Sequence, residues 1–223
     1  MELPGQIGVM TLPGVTLFPQ SMLPLYIFEP RYRRMLQESL ESHRLFCVAM
    51  RRPGSTRDTP EPVAGLGLIR ASVGHDNGTS HLILQGLTRV KLGKAVRYKP
   101  FRVHDIDPWP TTGPRGVAVS QQLKRVKELV ARRLELGLVL PQPDGQKPAG
   151  TKEALVKAQD IMRYLEALSD PEEVGDMVAC SLLQEAAHRQ TILETADLEL
   201  RLRHLVSCLD QEIKRLASDE SPS

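Results

Sequence analysis

No stretch of this chain is long and apolar enough to cross a bilayer, since its uninterrupted hydrophobic runs fall short of the roughly 18 residues a span needs. The first residues, MELPGQIGVM, hold no basic segment leading into an apolar core, so a secretory leader is not expected. Cysteine is scarce. Cys47, Cys180 and Cys208 are odd in number and far apart, which reads as small buried hydrophobes in a reducing compartment and not as a disulfide framework. Asn77-Gly78-Thr79 fits a glycosylation acceptor, but without export the match is empty. Aromatics number only four Phe, four Tyr and one Trp, too few for a base-stacking platform. Neither sign of charge dominates: 29 Lys and Arg stand against 27 Asp and Glu, which argues against a polybasic arm for nucleic acid. A cytoplasmic, soluble protein is expected, with neither a membrane nor a nucleic acid as partner.

Catalytic patterns are missing as well. GQKPAGTK, residues 145–152, spaces two glycines as a phosphate loop does, yet Thr-Lys stands where Lys then Ser or Thr is required. Its upstream segment is Pro-rich and not a buried strand. GLGLIRA, from Gly65, lacks the third glycine of a dinucleotide fingerprint and runs into strand-like sequence. It reads as a strand whose glycines admit a close neighbour. His43, His75, His81, His104, His188 and His204 form no H-x-x-x-H pair. No Ser occupies a Gly-x-Ser-x-Gly elbow, and Cys47 lies in an apolar run where a thiol is unreactive. No catalytic residue, metal site or cofactor is expected. A chain without visible chemistry reads as a binding module.

What is present divides in two. Hydrophobic residues make up 41% of the 223, enough for a sizeable core. Residues 1–110 hold 14 Lys and Arg against 9 Asp and Glu, whereas residues 111–223 hold 15 against 18. The first half reads as β: IGVMTL, LPLYIF, RLFCVAM, AGLGLIRASV, HLILQGLTRVKLGKAV and FRVHDIDPW are strand-like, and Asn77-Gly78 suits a two-residue type I′ turn. Six strands with one interposed helix predict a small barrel or folded sheet. The second half reads as α. Val119, Leu123, Val126, Val130 and Leu134 share one helical face, and so do Leu155, Ala158, Met162 and Leu165. LPQPDGQKPAGT between them is a linker by composition. Asp170, Pro171 and Glu173 mark a capped helix start, and a last helix from about Asp197 carries Leu198, Leu202, Leu205, Leu209, Ile213 and Leu216. The expected organisation is α+β: a β subdomain over 1–112 and a helical bundle over 113–223.

LPLYIFEPRYRRML, residues 23–36, joins an apolar run to a knot of charge. Pro30 fits the first turn of a helix, and Glu29 before it fits a cap that favours the helix dipole. Glu29, Pro30, Arg31 and Tyr32 are therefore expected to build a strand-to-helix corner, its charged residues capping the helix or pairing to backbone and neighbouring strands. The Pro-broken LFPQSML, residues 17–23, sets Phe18, Met22 and Leu23 in a loop. These three are the expected polypeptide contact, although folding back to cap the barrel is the competing reading.

LPGVTLFPQSMLPLYIFEPRYRRML resembles the opening signature of the N-terminal domain of Lon proteases. HLILQGLTRVKL and the Arg189-Gln190, Leu193-Glu194, Asp197 and Arg201-Leu202 series resemble later motifs of that domain in the same order, so the likeness spans about residues 8–215. It implies a PUA-like β subdomain followed by a helical bundle. It further implies a non-catalytic module that binds unfolded or damaged polypeptides, or an adaptor working with a protease or chaperone. The ATPase and peptidase modules of full Lon proteases have no match here, so no activity of that kind is expected. A docking protein for one defined partner is the alternative, and a PUA-like RNA binder a weaker one.

Overall fold

The computed structural model describes residues 3–55, 57–136 and 160–219. The Pro-rich linker 140–151, the GQKPAGTK stretch and the helical positions Leu155 and Ala158 lie outside them. Two compact units form, Met1–Pro110 and Thr111–Ser223.

In the first unit, β1 (Gln6–Leu12), β2 (Met22–Ile27), α1 (Pro30–Leu40), β3 (Leu45–Met50), β4 (Val63–Gly74), β5 (Ser80–Arg97) and β6 (Arg102–Pro108) follow in order. The strands run β2-β5-β4-β3-β1-β6, and β6 pairs back onto β5. Five strands thus close a ring, with β2 added outside it on the first half of β5. Closure leaves the ring without an edge. β1 and β3 are parallel, which the intervening β2 and α1 allow; the other pairings are antiparallel.

Two apolar clusters lie on opposite faces of the strands. One draws Ile7 and Val9, Cys47 and Ala49, Ala64 and Leu66, Val90 and Leu92, and Ile106 from all five ring strands. Side chains fill the ring, as a barrel this narrow requires. The other packs Tyr32, Met35 and Leu36 of α1 against Met10, Phe46, Val48 and Leu84. β3 serves both clusters and is buried at every position, so its sequence is an unbroken apolar run. The glycines of β4 and β5 have a steric task. A Cβ at Gly65 would strike the carbonyl oxygen of Leu17, and one at Gly86 that of Phe18. Only glycine lets the 17–18 segment lie so close.

The turn from β4 to β5 differs from the expected two-residue hairpin. The Gly78 N–H donates to His75 O at 2.8 Å, and Gly78 alone in the turn has positive φ, +76°. Asn77 instead stays out of the left-handed region. Its Oδ1 accepts from the Thr79 N–H at 3.0 Å, so its side chain does the turning.

The second unit holds α2 (Val117–Glu135), a helix over 160–167 (α3), α4 (Pro171–Leu182), α5 (Ala186–Glu194) and α6 (Leu198–Asp219). Val119, Val126, Val130 and Leu134 are buried on α2 as their spacing predicts, and Leu129 joins them. Asp170 caps α4 by accepting from the Glu172 N–H at 2.9 Å, with Pro171 in the first turn. Thr112 bonds both ways with the residues before α6, through Ala196 O at 2.9 Å and the Leu198 N–H at 3.0 Å. Arg201 is fully buried beside it and reaches Thr195 O, Ala196 O, Thr111 Oγ1 and Glu172 Oε1.

Candidate functional site

β2 positions the most conspicuous surface of the first unit. Its residues alternate: Leu23, Leu25 and Ile27 turn toward the α1 cluster, whereas Met22, Pro24 and Tyr26 turn outward. Met22 is 57% exposed, Tyr26 49%, and Phe28 just beyond the strand 59%. The pairing extends this face across the sheet. Pro24 lies opposite Ile83, which lies opposite Ala71; Tyr26 lies opposite His81, which lies opposite Val73. Ile83 is 37% and Val73 61% exposed. Three strands therefore present outward apolar side chains on one face, with Gln85 and His81 set among them. Rings line one end of it. Tyr26 stacks on Phe28 with centroids 5.9 Å apart and lies 4.7 Å from His81.

Among the described residues β2 pairs with no second strand. Gly86 N–H bonds to Ser21 O at 2.9 Å, so by antiparallel alternation the odd positions of β2 bond to β5 and the even ones face the free edge. Pro24 is among the even ones and has no N–H to offer. The free edge is thus interrupted at its centre, which guards it against strand pairing and leaves the apolar face as the accessible surface.

The three residues expected at the contact part company here. Met22 is on the face. Leu23 points the other way and packs, half-buried, against the α1 cluster. Phe18 is a correction, because it is 0% exposed. Its backbone lies on Gly86, so its ring is carried inward and cannot meet a partner on the surface. Tyr26, Phe28, Ile83 and Val73 were not singled out from sequence. The available signal was LPLYIF itself, apolar at both parities where a half-exposed strand should alternate with polar residues.

The corner residues hold structure. Pro30 starts α1, and Glu29 makes no side-chain cap bond, so of its two expected roles capping is absent. Its Oε2 accepts instead from Arg31 Nε at 2.8 Å, and Arg31 also donates to Asp58. The guanidinium so close holds the Asp58 carboxyl below its usual range, against the opposing cost of desolvation. The Tyr32 hydroxyl donates to Thr11 O at 3.0 Å and accepts from the Thr11 N–H at 3.2 Å, in place of a ladder partner for β1. Glu29→Ala removes a half-exposed ion pair, and a loss of about 1 kcal/mol or less is expected in urea unfolding. Tyr32→Phe strands two buried backbone groups and is expected to cost about 1–3 kcal/mol in the same measurement. A larger loss from Glu29→Ala than from Tyr32→Phe contradicts this account.

Other expected features are placed as follows. His75 and His81, six positions apart in sequence, meet with ring nitrogens 2.7 Å apart, a contact their spacing conceals. Among the described residues no three His, Cys, Asp or Glu gather as metal ligands. All three cysteines are free; Cys47 and Cys208 are buried, and Cys180 is half-buried. Burial raises all three thiols, that of Cys208 up to about 11, which suppresses the thiolate. No described helix is long and apolar enough to cross a membrane.

A closed β ring with an added, outward-apolar strand, in a chain whose second unit is helical among the described residues, defines an α+β protein of a specific kind. The chain belongs to the family of the ATP-dependent protease La (LON) substrate-binding domain, whose model matches residues 6–211. It is 23% identical over 220 residues to the Lon protease of Desulfosudis oleivorans, covering 96% of this chain and 25% of that protein. It is 27% identical over 224 residues to the Lon protease of Phenylobacterium zucineum, covering 97% and 26%. The chain therefore spans about a quarter of the length of these curated relatives. The N-terminal domain of a Mycobacterium avium complex Lon protease shares the fold at TM-score 0.70 and 16% identity, over 92% of this chain and 98% of that one. A Lon N-terminal domain protein from Xanthomonas campestris does so at TM-score 0.57 and 18% identity, over 91% and 97%.

Proposed function

We propose that this chain recognises polypeptides and takes extended apolar segments of unfolded proteins on the outer face of β2, β5 and β4. The observation that carries the reading is the exposure of Met22, Tyr26, Ile83 and Val73 on one face of three paired strands. Membership of a substrate-binding domain family supports it. Met22 is adaptable and the Tyr26 and Phe28 rings are broad, which suits sequence-tolerant capture. On this reading the module contributes recognition without ATP hydrolysis or peptide cleavage, and passes what it holds to a protease or chaperone partner.

Titration with a labelled, permanently unfolded protein, such as a reduced and carboxymethylated chain, tests this. Saturable binding that the folded form of the same protein does not show, and that changes little with salt, is expected. Equal binding of the folded form overturns the reading. Steep salt dependence with RNA as the better ligand points to a phosphate-binding surface instead.

A further inference from the structure

Beside the α1 corner, and sharing no residue with the apolar face, lies a pocket of about 240 Å³. Thr11, Arg31, Arg57, Asp58, Lys99 and Arg102 contribute to its wall, so four cationic side chains meet a single carboxylate. Asp58 is already engaged by Arg31 and lies 3.8 Å from Arg51. Among the described residues the side chains of Arg57 and Lys99 have no ion-pair or hydrogen-bond partner, and Arg102 stacks on the Tyr98 ring at 5.2 Å.

The size limits the occupant. At about 30 Å³ per water the space equals roughly eight waters, below the roughly 300 Å³ where pockets for larger ligands begin. A group the size of one residue fits. Guanidinium and ammonium donors match a carboxylate. The wall is also held in place, since Arg31 is tied to Glu29 and Asp58, and Tyr32 to Thr11.

We infer that this pocket takes a small oxyanion, the carboxylate that a bound polypeptide presents at its C-terminus or on an Asp or Glu side chain. The inference rests on the polypeptide-binding reading and adds a chemical preference to it.

Two short labelled apolar peptides test it on the full chain at physiological ionic strength. One ends in Asp with a free C-terminus, and the other ends in Asn as the amide. The acidic peptide is expected to bind about tenfold more tightly. Arg57→Gln with Lys99→Gln is expected to abolish that advantage and leave the amide peptide unaffected. Both side chains are exposed and unpaired, so the fold should not depend on them. Lys94→Gln with Lys124→Gln changes the net charge equally and is expected to keep the advantage; its loss there overturns the inference. Millimolar inorganic phosphate is expected to erase the advantage by competing for the same donors. Phosphate binding lost in Arg57→Gln/Lys99→Gln, with both peptides binding alike, makes the pocket a free-phosphate site and overturns the polypeptide assignment. Equal peptide affinities without phosphate binding overturn the pocket while polypeptide recognition stands. If neither peptide binds, both readings fall.

Discussion

Replacing Met22, Tyr26 and Ile83 together with Ser is expected to weaken capture of an unfolded chain by about tenfold or more while the fold persists. The three side chains sit on neighbouring outward positions of β2 and β5, 57%, 49% and 37% exposed. Removing a compact apolar group from the centre of a contact costs most of its binding energy, because flanking contacts mainly exclude water. The folded state loses little, since none of the three belongs to either buried cluster. Anisotropy with a labelled unfolded protein reads the affinity, and a melting curve reads the fold. Unchanged affinity with an unchanged melting temperature rules out this face and directs the search to the helical unit.

Phe18→Ala is expected to behave in the opposite way and destabilise the protein by about 3–5 kcal/mol, with unchanged affinity per folded molecule. Phe18 is wholly buried, and its carbonyl rests where any side chain at position 86 would stand. Truncating the ring leaves a cavity that neighbours cannot close, because the backbone beneath it is pinned against Gly86. Gly86→Ala probes the same contact from the other side and should destabilise comparably, since the added methyl meets backbone and not a movable side chain. Urea unfolding with an unchanged m-value measures both. Met22→Ser should stay within about 0.5 kcal/mol of the parent, as exposed substitutions do. A stable Phe18→Ala variant that has lost its ligand would return Phe18 to the surface contact.

Much of the fold was legible because it is written locally. Each of the six strands coincides with an apolar or alternating run bounded by Gly, Pro or polar residues. Pro30 and Asp170-Pro171 mark helix starts through properties of their own backbones and side chains. The break between α4 and α5 was not legible. No Pro or Gly stands between Leu182 and Ala186, and the backbone groups freed at the break are taken up by side chains of α6 and α5. Glu212 on α6 accepts from the Gln184 N–H at 2.9 Å, and Arg189 donates to the carbonyls of Leu183 and Gln184.

The candidate site follows the same division. The sequence alone determined that LFPQSMLPLYIF is apolar, broken by proline and joined to a helix. Which of its side chains meet solvent depends on long-range approach. Phe18 is inside because Gly86 admits its backbone, and Met22 is outside because β2 pairs with β5 in the register that sets Met22 against Gln85. A shift of one residue would exchange the inward and outward sets. The partners of Tyr26 on this face, His81 and Val73, lie more than forty residues further along the chain and reach it only through strand pairing. Hydrophobicity is a property of each residue and can be read in order. Exposure is a property of what packs against it, and that is decided only when the ring closes.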